Sequence, residues 1–176
     1  MISDFFAWSF RRQLETHREG LYKLAWSWCH QADLADDLVQ ETYIKALKSR
    51  SQLQDLDKLK PWLTRILVNT HIDYLRTKRN QIPLEDHHVM DHGDPTIVMD
   101  RKDNIQQVRN AIANLNDNHR KVVTLIDLEE FSYSEVAEIL SIPVGTVMSR
   151  LNRARMKLKE SLLDKSRQTP LLRRVK

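Results

Sequence analysis

The sequence predicts an all-α protein made of two small helical domains joined by a flexible acidic linker. Three observations lead there. Glycine and proline number only 3 and 5 in 176 residues, so helix breakers are scarce. Apolar residues recur at steps of three and four over helix-length stretches on both sides of the middle of the chain. Between them, residues 81–100 (QIPLEDHHVMDHGDPTIVMD) carry no lysine or arginine, five acids (Glu85, Asp86, Asp91, Asp94, Asp100), two prolines and Gly93, which is the composition of a linker. The expected boundaries are therefore 1–80, 81–100 and 101–176.

The first helix is expected over 5–30, where Leu14, Leu21, Leu24, Ala25 and Trp28 sit at helical steps downstream of Trp8 and Phe10. The run Trp26-Ser27-Trp28-Cys29-His30 has the look of a cofactor or metal box. It reads better as aromatic core with one buried thiol, because His17, Cys29 and His30 make no zinc-ligand set.

A second helix is expected over 31–48. Asp33 and Asp36 suit its positive N-terminal end, and Ala35, Leu38, Val39, Thr42 and Ala46 form its apolar stripe. Asp37, Gln40, Glu41 and Lys45 are left facing outward. Residues 49–60 read as a polar connector, and Pro61 as the start of a third helix with Leu63, Ile66, Leu67, Thr70 and Tyr74 inward. The basic end of that helix, Arg76 with Lys78 and Arg79, complements the helix dipole, yet beside Trp62 and Tyr74 it also suits a single-stranded nucleic acid.

Beyond the linker, a fourth helix is expected over 101–116 with Ile105, Val108, Ile112 and Leu115 inward, then a polar break at Asn116-Asp117-Asn118 and the helix HRKVVTLIDLEE. The tail SRQTPLLRRVK is basic and expected to fray.

The most informative stretch is 131–163, FSYSEVAEILSIPVGTVMSRLNRARMKLKESLL. Ser132 and Glu135 have the spacing of a capping box, Val136, Ile139 and Leu140 give one apolar side, and Ser141-Ile142-Pro143 breaks the helix. Ser141 stands where glycine would take a left-handed conformation most easily. In the helix that follows, Val144, Val147, Leu151, Ala154, Leu158 and Leu162 line one face, while Thr146, Ser149, Arg150, Arg153 and Lys157 line the other. Helix, tight turn and a basic amphipathic helix make a helix-turn-helix, with its polar face suited to a major groove. The bland alternative is a helical hairpin with a solvated basic face.

Composition excludes several classes. No apolar run approaches the ~20 residues a membrane span needs, and the aromatic N-terminus with trailing arginines does not read as a signal peptide. One cysteine gives no internal disulfide and fits a reducing cytosol. The net charge of +4 is uneven: +3 over 1–80, −5 over 81–100 and +6 over 101–176, which suggests two polyanion-binding modules on a tether. His87, His88, Asp91 and His92 could gather a metal, but their spacing is loose and no metal site is assigned. No nucleophile–base pair or phosphate loop is present, so an enzyme is not expected, nor is a cofactor.

Three segments together resemble one family. DLADDLVQETYIKAL resembles the most characteristic stretch of bacterial sigma-factor region 2, PWLTRILVNTHIDYLR its strand-melting helix, and FSYSEVAEILSIPVGTVMSRLNRARMKLKESL region 4. Their order and spacing are those of the short, two-domain extracytoplasmic-function sigma factors, over about residues 10 to 163. The resemblance implies a three-to-four-helix region 2 and a helix-turn-helix region 4, no catalysis, and a cytoplasmic protein that partners RNA polymerase core and promoter DNA. It also implies an anti-sigma factor, through which the protein could be held at a membrane without inserting itself, and a role in envelope or other stress responses.

By resemblance, Asp37, Gln40 and Glu41 would dock on the polymerase. The connector with Asp55 and Lys58, next to Trp62, would capture a flipped base of the −10 element beside Asn69, Asp73 and Arg76 on the melting helix. Thr146, Ser149, Arg150, Arg153 and Lys157 would face the −35 element, and the acidic linker would thread into the polymerase. Met148 departs from a frequent lysine, Ser141 from glycine and Asn116 from proline, which touches promoter preference and not the family. Two other readings stay open: a stand-alone dimeric helix-turn-helix regulator whose residues 1–80 sense or dimerise, and a metal-dependent nucleic-acid enzyme using the His/Asp linker.

Overall fold

The protein's structure, a computed structural model, describes residues 2–53, 55–81 and 101–168, with side chains described for 10, 12–53, 55–80 and 105–163. Among these residues every regular element is helical. The helices are α1 (Ile2–Cys29), α2 (Ala32–Lys48), α3 (Leu59–Gln81), α4 (Arg101–Ala113), α5 (Asp117–Val123), α6 (Tyr133–Leu140) and α7 (Val144–Gln168). Two 3₁₀ turns, Arg50–Gln52 and Leu56–Lys58, sit in the connector before α3, and α5 runs into a π-helical turn at Thr124–Leu128.

The first three helices pack as a bundle. The α2 stripe expected from the sequence is buried residue for residue: Ala35, Leu38, Val39, Thr42 and Ala46. Tyr43 hydroxyl donates to the Leu14 carbonyl at 2.8 Å, tying α2 to α1, and its burial pushes the phenol pKa up to about 12. The third helix starts at Leu59, two residues earlier than expected. Pro61 still lies in the first turn, where a missing N–H leaves no intrahelical bond unmade. Leu63 and Leu67 are fully buried as expected, but so are Thr64, Val68 and His71, which the pattern had not singled out.

The second half is organised by Arg120. Its guanidinium donates to the carbonyls of Ile112, Ala113 and Leu115, satisfying the free carbonyls where α4 ends. Asn116 caps α5 by accepting from the His119 N–H at 2.9 Å. The capping box is complete: the Ser132 hydroxyl accepts from Glu135 N–H, and the Glu135 carboxylate accepts from Ser132 N–H at 2.8 Å. The Ser132 hydroxyl also donates to the Glu135 carboxylate at 2.7 Å, and this bond, with the one from Ser132 N–H, holds the carboxyl below its usual range. Ser141 does adopt the left-handed conformation, with φ 53°. From it the Ile142 N–H returns to the Ala137 carbonyl at 3.0 Å, closing α6.

Two expectations fail. Ile105 and Val108 of α4 are exposed, at 55% and 42%; among the described side chains of the helix expected over 101–116, Ala111, Ile112 and Leu115 are buried. Ile105 and Val108 line the wall of an open groove that α4 makes with Tyr22, Leu24 and Trp26 of α1, which leaves them uncovered. Val144 is also exposed, at the first position of α7. The rest of the α7 stripe holds: Val147, Leu151 and Ala154 are buried and Leu158 is half-buried.

The two halves pack against each other, and core residues from both form one continuous cluster. Trp28 is the centre of the junction. Its indole N–H donates to Thr124 at 2.9 Å, its carbonyl accepts from Arg120 at 2.7 Å, and its ring lies against His71 with centroids 5.6 Å apart. Lys60 forms a second bridge, donating to the Glu129 carbonyl at 2.9 Å, pairing with its carboxylate at 3.1 Å, and lying over the Phe131 ring.

Candidate nucleic-acid interface

Three polar surfaces stand out on this frame. The first is the outer side of α2. Asp37, Gln40 and Glu41 are all exposed, as the buried stripe opposite them requires. Glu41 lies 3.8 Å from Lys45, whose ammonium also reaches Asp73 of α3 at 3.5 Å, so α2 and α3 share a chain of charges.

The second surface runs from the connector along α3. Asp55 caps the Leu56–Lys58 turn by accepting from Asp57 N–H at 2.9 Å, so its side chain shapes the loop. Lys58 is exposed. Trp62 is half-buried and leans on Phe10 with ring centroids 6.5 Å apart. Asn69, Asp73 and Arg76 are exposed further along the same helix, with Arg76 3.9 Å from Asp73. Sequence reasoning passed over Arg65, which is exposed one turn beyond Pro61 and lines the same cleft as Lys58 and Trp62. Its position three residues after Trp62 was the available signal.

The third surface is α7. Ser149, Arg153 and Lys157 are exposed, and Thr146 and Arg150 half-buried, opposite the buried Val147, Leu151 and Ala154. Ser149 donates to the Thr146 carbonyl at 3.0 Å, and Arg150 reaches Asn118 at 3.4 Å. Beneath them His119 is nearly buried. Burial first, then the charges of Lys157, Arg153 and Arg150, hold its imidazole below the ordinary histidine range. A helix held by its apolar face and presenting a basic one is equipped to enter a groove of DNA.

Cys29 is half-buried, donates to the Gln31 carbonyl at 3.3 Å, and has its thiol pKa raised by burial. That is an unreactive thiol in an aromatic core. No group of histidines, cysteines and acids among the described residues could hold a metal, and His87, His88, Asp91 and His92 lie outside them, as does all of the linker expected over 81–100 except Gln81, which ends α3. None of the described helices is long and apolar enough to cross a membrane.

The family models for sigma-70 region 2 and sigma-70 region 4 match residues 14–81 and 105–158. The ECF RNA polymerase sigma-E factor of Haemophilus influenzae is 36% identical over 131 residues, 68% of this chain and 69% of its own length. The chain belongs to the ECF sigma factors. The ECF sigma factor SigW of Bacillus subtilis is 29% identical over 166 residues, 86% of this chain and 87% of its own. Among solved structures, the sigma factor RpoE of Bartonella quintana, in complex with the anti-sigma factor NepR, matches with a TM-score of 0.72 at 29% identity, over 88% of this chain and 97% of that one. As a sigma factor, the protein binds RNA polymerase core and directs promoter-specific initiation of transcription, and is itself no enzyme. The alternative of a metal-dependent nucleic-acid enzyme is thereby set aside, as is the stand-alone regulator, since region 2 occupies the first half of the chain.

Proposed function

We propose that this ECF sigma factor divides promoter recognition between its halves as follows. Residues 1–80 dock on the polymerase through Asp37, Gln40 and Glu41 and open the −10 element with Asp55, Lys58, Trp62, Asn69, Asp73 and Arg76. Residues 81–100 form an acidic linker. Residues 101–176 read the −35 element through Thr146, Ser149, Arg150, Arg153 and Lys157. The observation that carries this reading is α7: its apolar face is sealed against the core while its basic face stays open, the geometry of a recognition helix.

Trp62 between Lys58 and Arg65 supplies what a single strand needs, an aromatic face for a base and cations for phosphates. Asp55 acts through the shape of the turn it caps, which sets where Lys58 points. The exposed Asp37, Gln40 and Glu41 have no packing role to explain them, which supports a docking role. The sigma factor RpoE has been solved with the anti-sigma factor NepR, and the same control is proposed here. The protein would then work in the cytoplasm, released from an anti-sigma factor that can itself sit at a membrane, as part of an envelope or other stress response.

The docking assignment is tested by replacing Gln40 and Glu41 together with alanine and measuring affinity for core polymerase. A loss of tenfold or more is expected. Unchanged affinity would move the docking surface elsewhere.

A further inference from the structure

His119 of α5 lies under the basic face of α7, among cations. Its imidazole is 8% exposed, and the buried Nδ1 has no hydrogen-bond partner. The charges that act on it come from Lys157, Arg153 and Arg150, all on α7. On its own helix, Asp117 is paired with Lys121 at 2.7 Å. The adjoining Asn118 marks where α5 meets the basic face, accepting from Arg150 at 3.4 Å. A protonated imidazole can only donate hydrogen bonds, and so can lysine and arginine. Among the described residues this cluster therefore lacks both negative charge and an acceptor, and a phosphate supplies the two together. We propose that a backbone phosphate of the −35 duplex docks over Arg150, Arg153 and Lys157 with His119 as the floor of the site, and that His119 takes up a proton as the DNA binds. This rests on the −35 assignment above and adds to it a residue outside α7.

In the free protein, burial first and then the three cations disfavour the charged imidazole. A phosphate over the same cations cancels their field and brings negative charge close to the ring. The protonated form, disfavoured in the free protein, is favoured in the complex. The complex then binds more protons than its separate parts, so affinity rises as pH falls. One proton changes affinity by at most about tenfold per pH unit. Glutamine in place of His119 keeps a polar side chain but cannot take the proton. His17, His30 and His71 belong to the first half of the chain, and whatever they contribute is common to wild type and variant.

The test uses the full chain and a fluorescein-labelled pool of random-sequence DNA duplexes, since a phosphate contact is indifferent to sequence. Anisotropy gives the affinity between pH 6 and pH 8 at constant ionic strength. Calorimetry in buffers of different ionisation enthalpy counts the protons taken up per complex. The wild type is expected to bind about threefold or more tightly at pH 6 than at pH 8, with net proton uptake, and His119→Gln is expected to remove most of both. An NMR titration of the His119 ring in the wild type reads the same proton without a substitution, and its midpoint is expected to move to higher pH in the complex. If Arg153→Ala weakens binding while His119→Gln keeps the wild-type pH profile, or if the ring titrates at the same pH free and bound, the role of His119 is overturned and the −35 assignment stands. If Arg153→Ala leaves binding unchanged at every pH, the assignment of this face to DNA falls and the role of His119 with it.

Discussion

The Trp28 indole N–H and the Thr124 hydroxyl, 96 residues apart in the chain, meet at 2.9 Å in the buried junction between the two halves of the protein. Both groups are almost fully buried, so the bond has no water to replace it. Thr124 in turn donates to the carbonyls of Arg120 and Lys121 one turn back. The hydroxyl thus connects the α5–π turn of region 4 to the end of α1.

Replacing Trp28 with phenylalanine removes the N–H and leaves a buried cavity. A loss of about 2–4 kcal/mol is expected from the lost bond and the reduced packing. Urea denaturation measures it, and a loss under 1 kcal/mol would show that the junction contributes little to stability.

His71 gives the fold a pH dependence. It is buried between α3, the Trp28 ring and α5, from which Asp117, Lys121 and Arg120 face it. Burial first, and Lys121 next, lower its pKa to about 4, against the opposing pull of Asp117. Its Nδ1 has no hydrogen-bond partner. In the unfolded chain the imidazole returns to about 6.5 and binds a proton that the native protein refuses. The contribution to stability is therefore complete above pH 6.5 and is lost as pH falls toward 4, on the order of 3 kcal/mol in all. Denaturation of wild type and His71→Gln between pH 5 and 7 isolates it. The wild type should lose stability more steeply toward pH 5, and equal slopes would contradict the account.

The two ends of α6 make opposite predictions. Ser132→Ala removes the cap and should destabilise by about 1 kcal/mol. Ser141→Gly relieves a left-handed conformation at φ 53° and should stabilise by about 1 kcal/mol. Thermal unfolding of the two variants should shift in opposite directions. A Ser141→Gly variant less stable than wild type would mean that the serine side chain holds the turn.

On α7, Arg150→Ala and Arg153→Ala should separate base from phosphate contacts. A base contact is worth about 1–3 kcal/mol and its loss relaxes specificity at one position; a phosphate contact lowers affinity for every sequence and flattens the salt dependence. Binding to −35 duplexes over a range of salt distinguishes them. Arg150 already leans on Asn118, so Asn118→Ala should reproduce part of the Arg150→Ala effect.

Much of this was legible in the sequence, and the reasons differ by element. The α2 stripe, the capping box and the left-handed Ser141 are local properties, set by spacing and by single-residue conformational preference, and all three appear as read. Region 2 and region 4 were recognisable because their motifs are long. The exposure of Ile105 and Val108 was not legible, because periodicity marks an apolar face without saying whether a neighbour covers it. His71 and Thr64 were missed because they are polar residues on a buried face: the Thr64 hydroxyl donates to the Lys60 carbonyl one turn back, and His71 is enclosed by groups of α5 far away in sequence. Arg120, Lys60, Glu129 and Thr124 read as ordinary surface or helix residues until the halves are brought together. No local pattern encodes that packing, nor that Glu135 and Glu138 line one cleft with Lys58 and Arg65.

Transcription reconstituted from core polymerase and this protein on a library of genomic promoter fragments tests the central claim most directly. The account predicts discrete start sites sharing two spaced elements, with output lost when Lys58 or Arg153 is replaced by alanine. DNA binding with no start sites, or start sites indifferent to both substitutions, would contradict it.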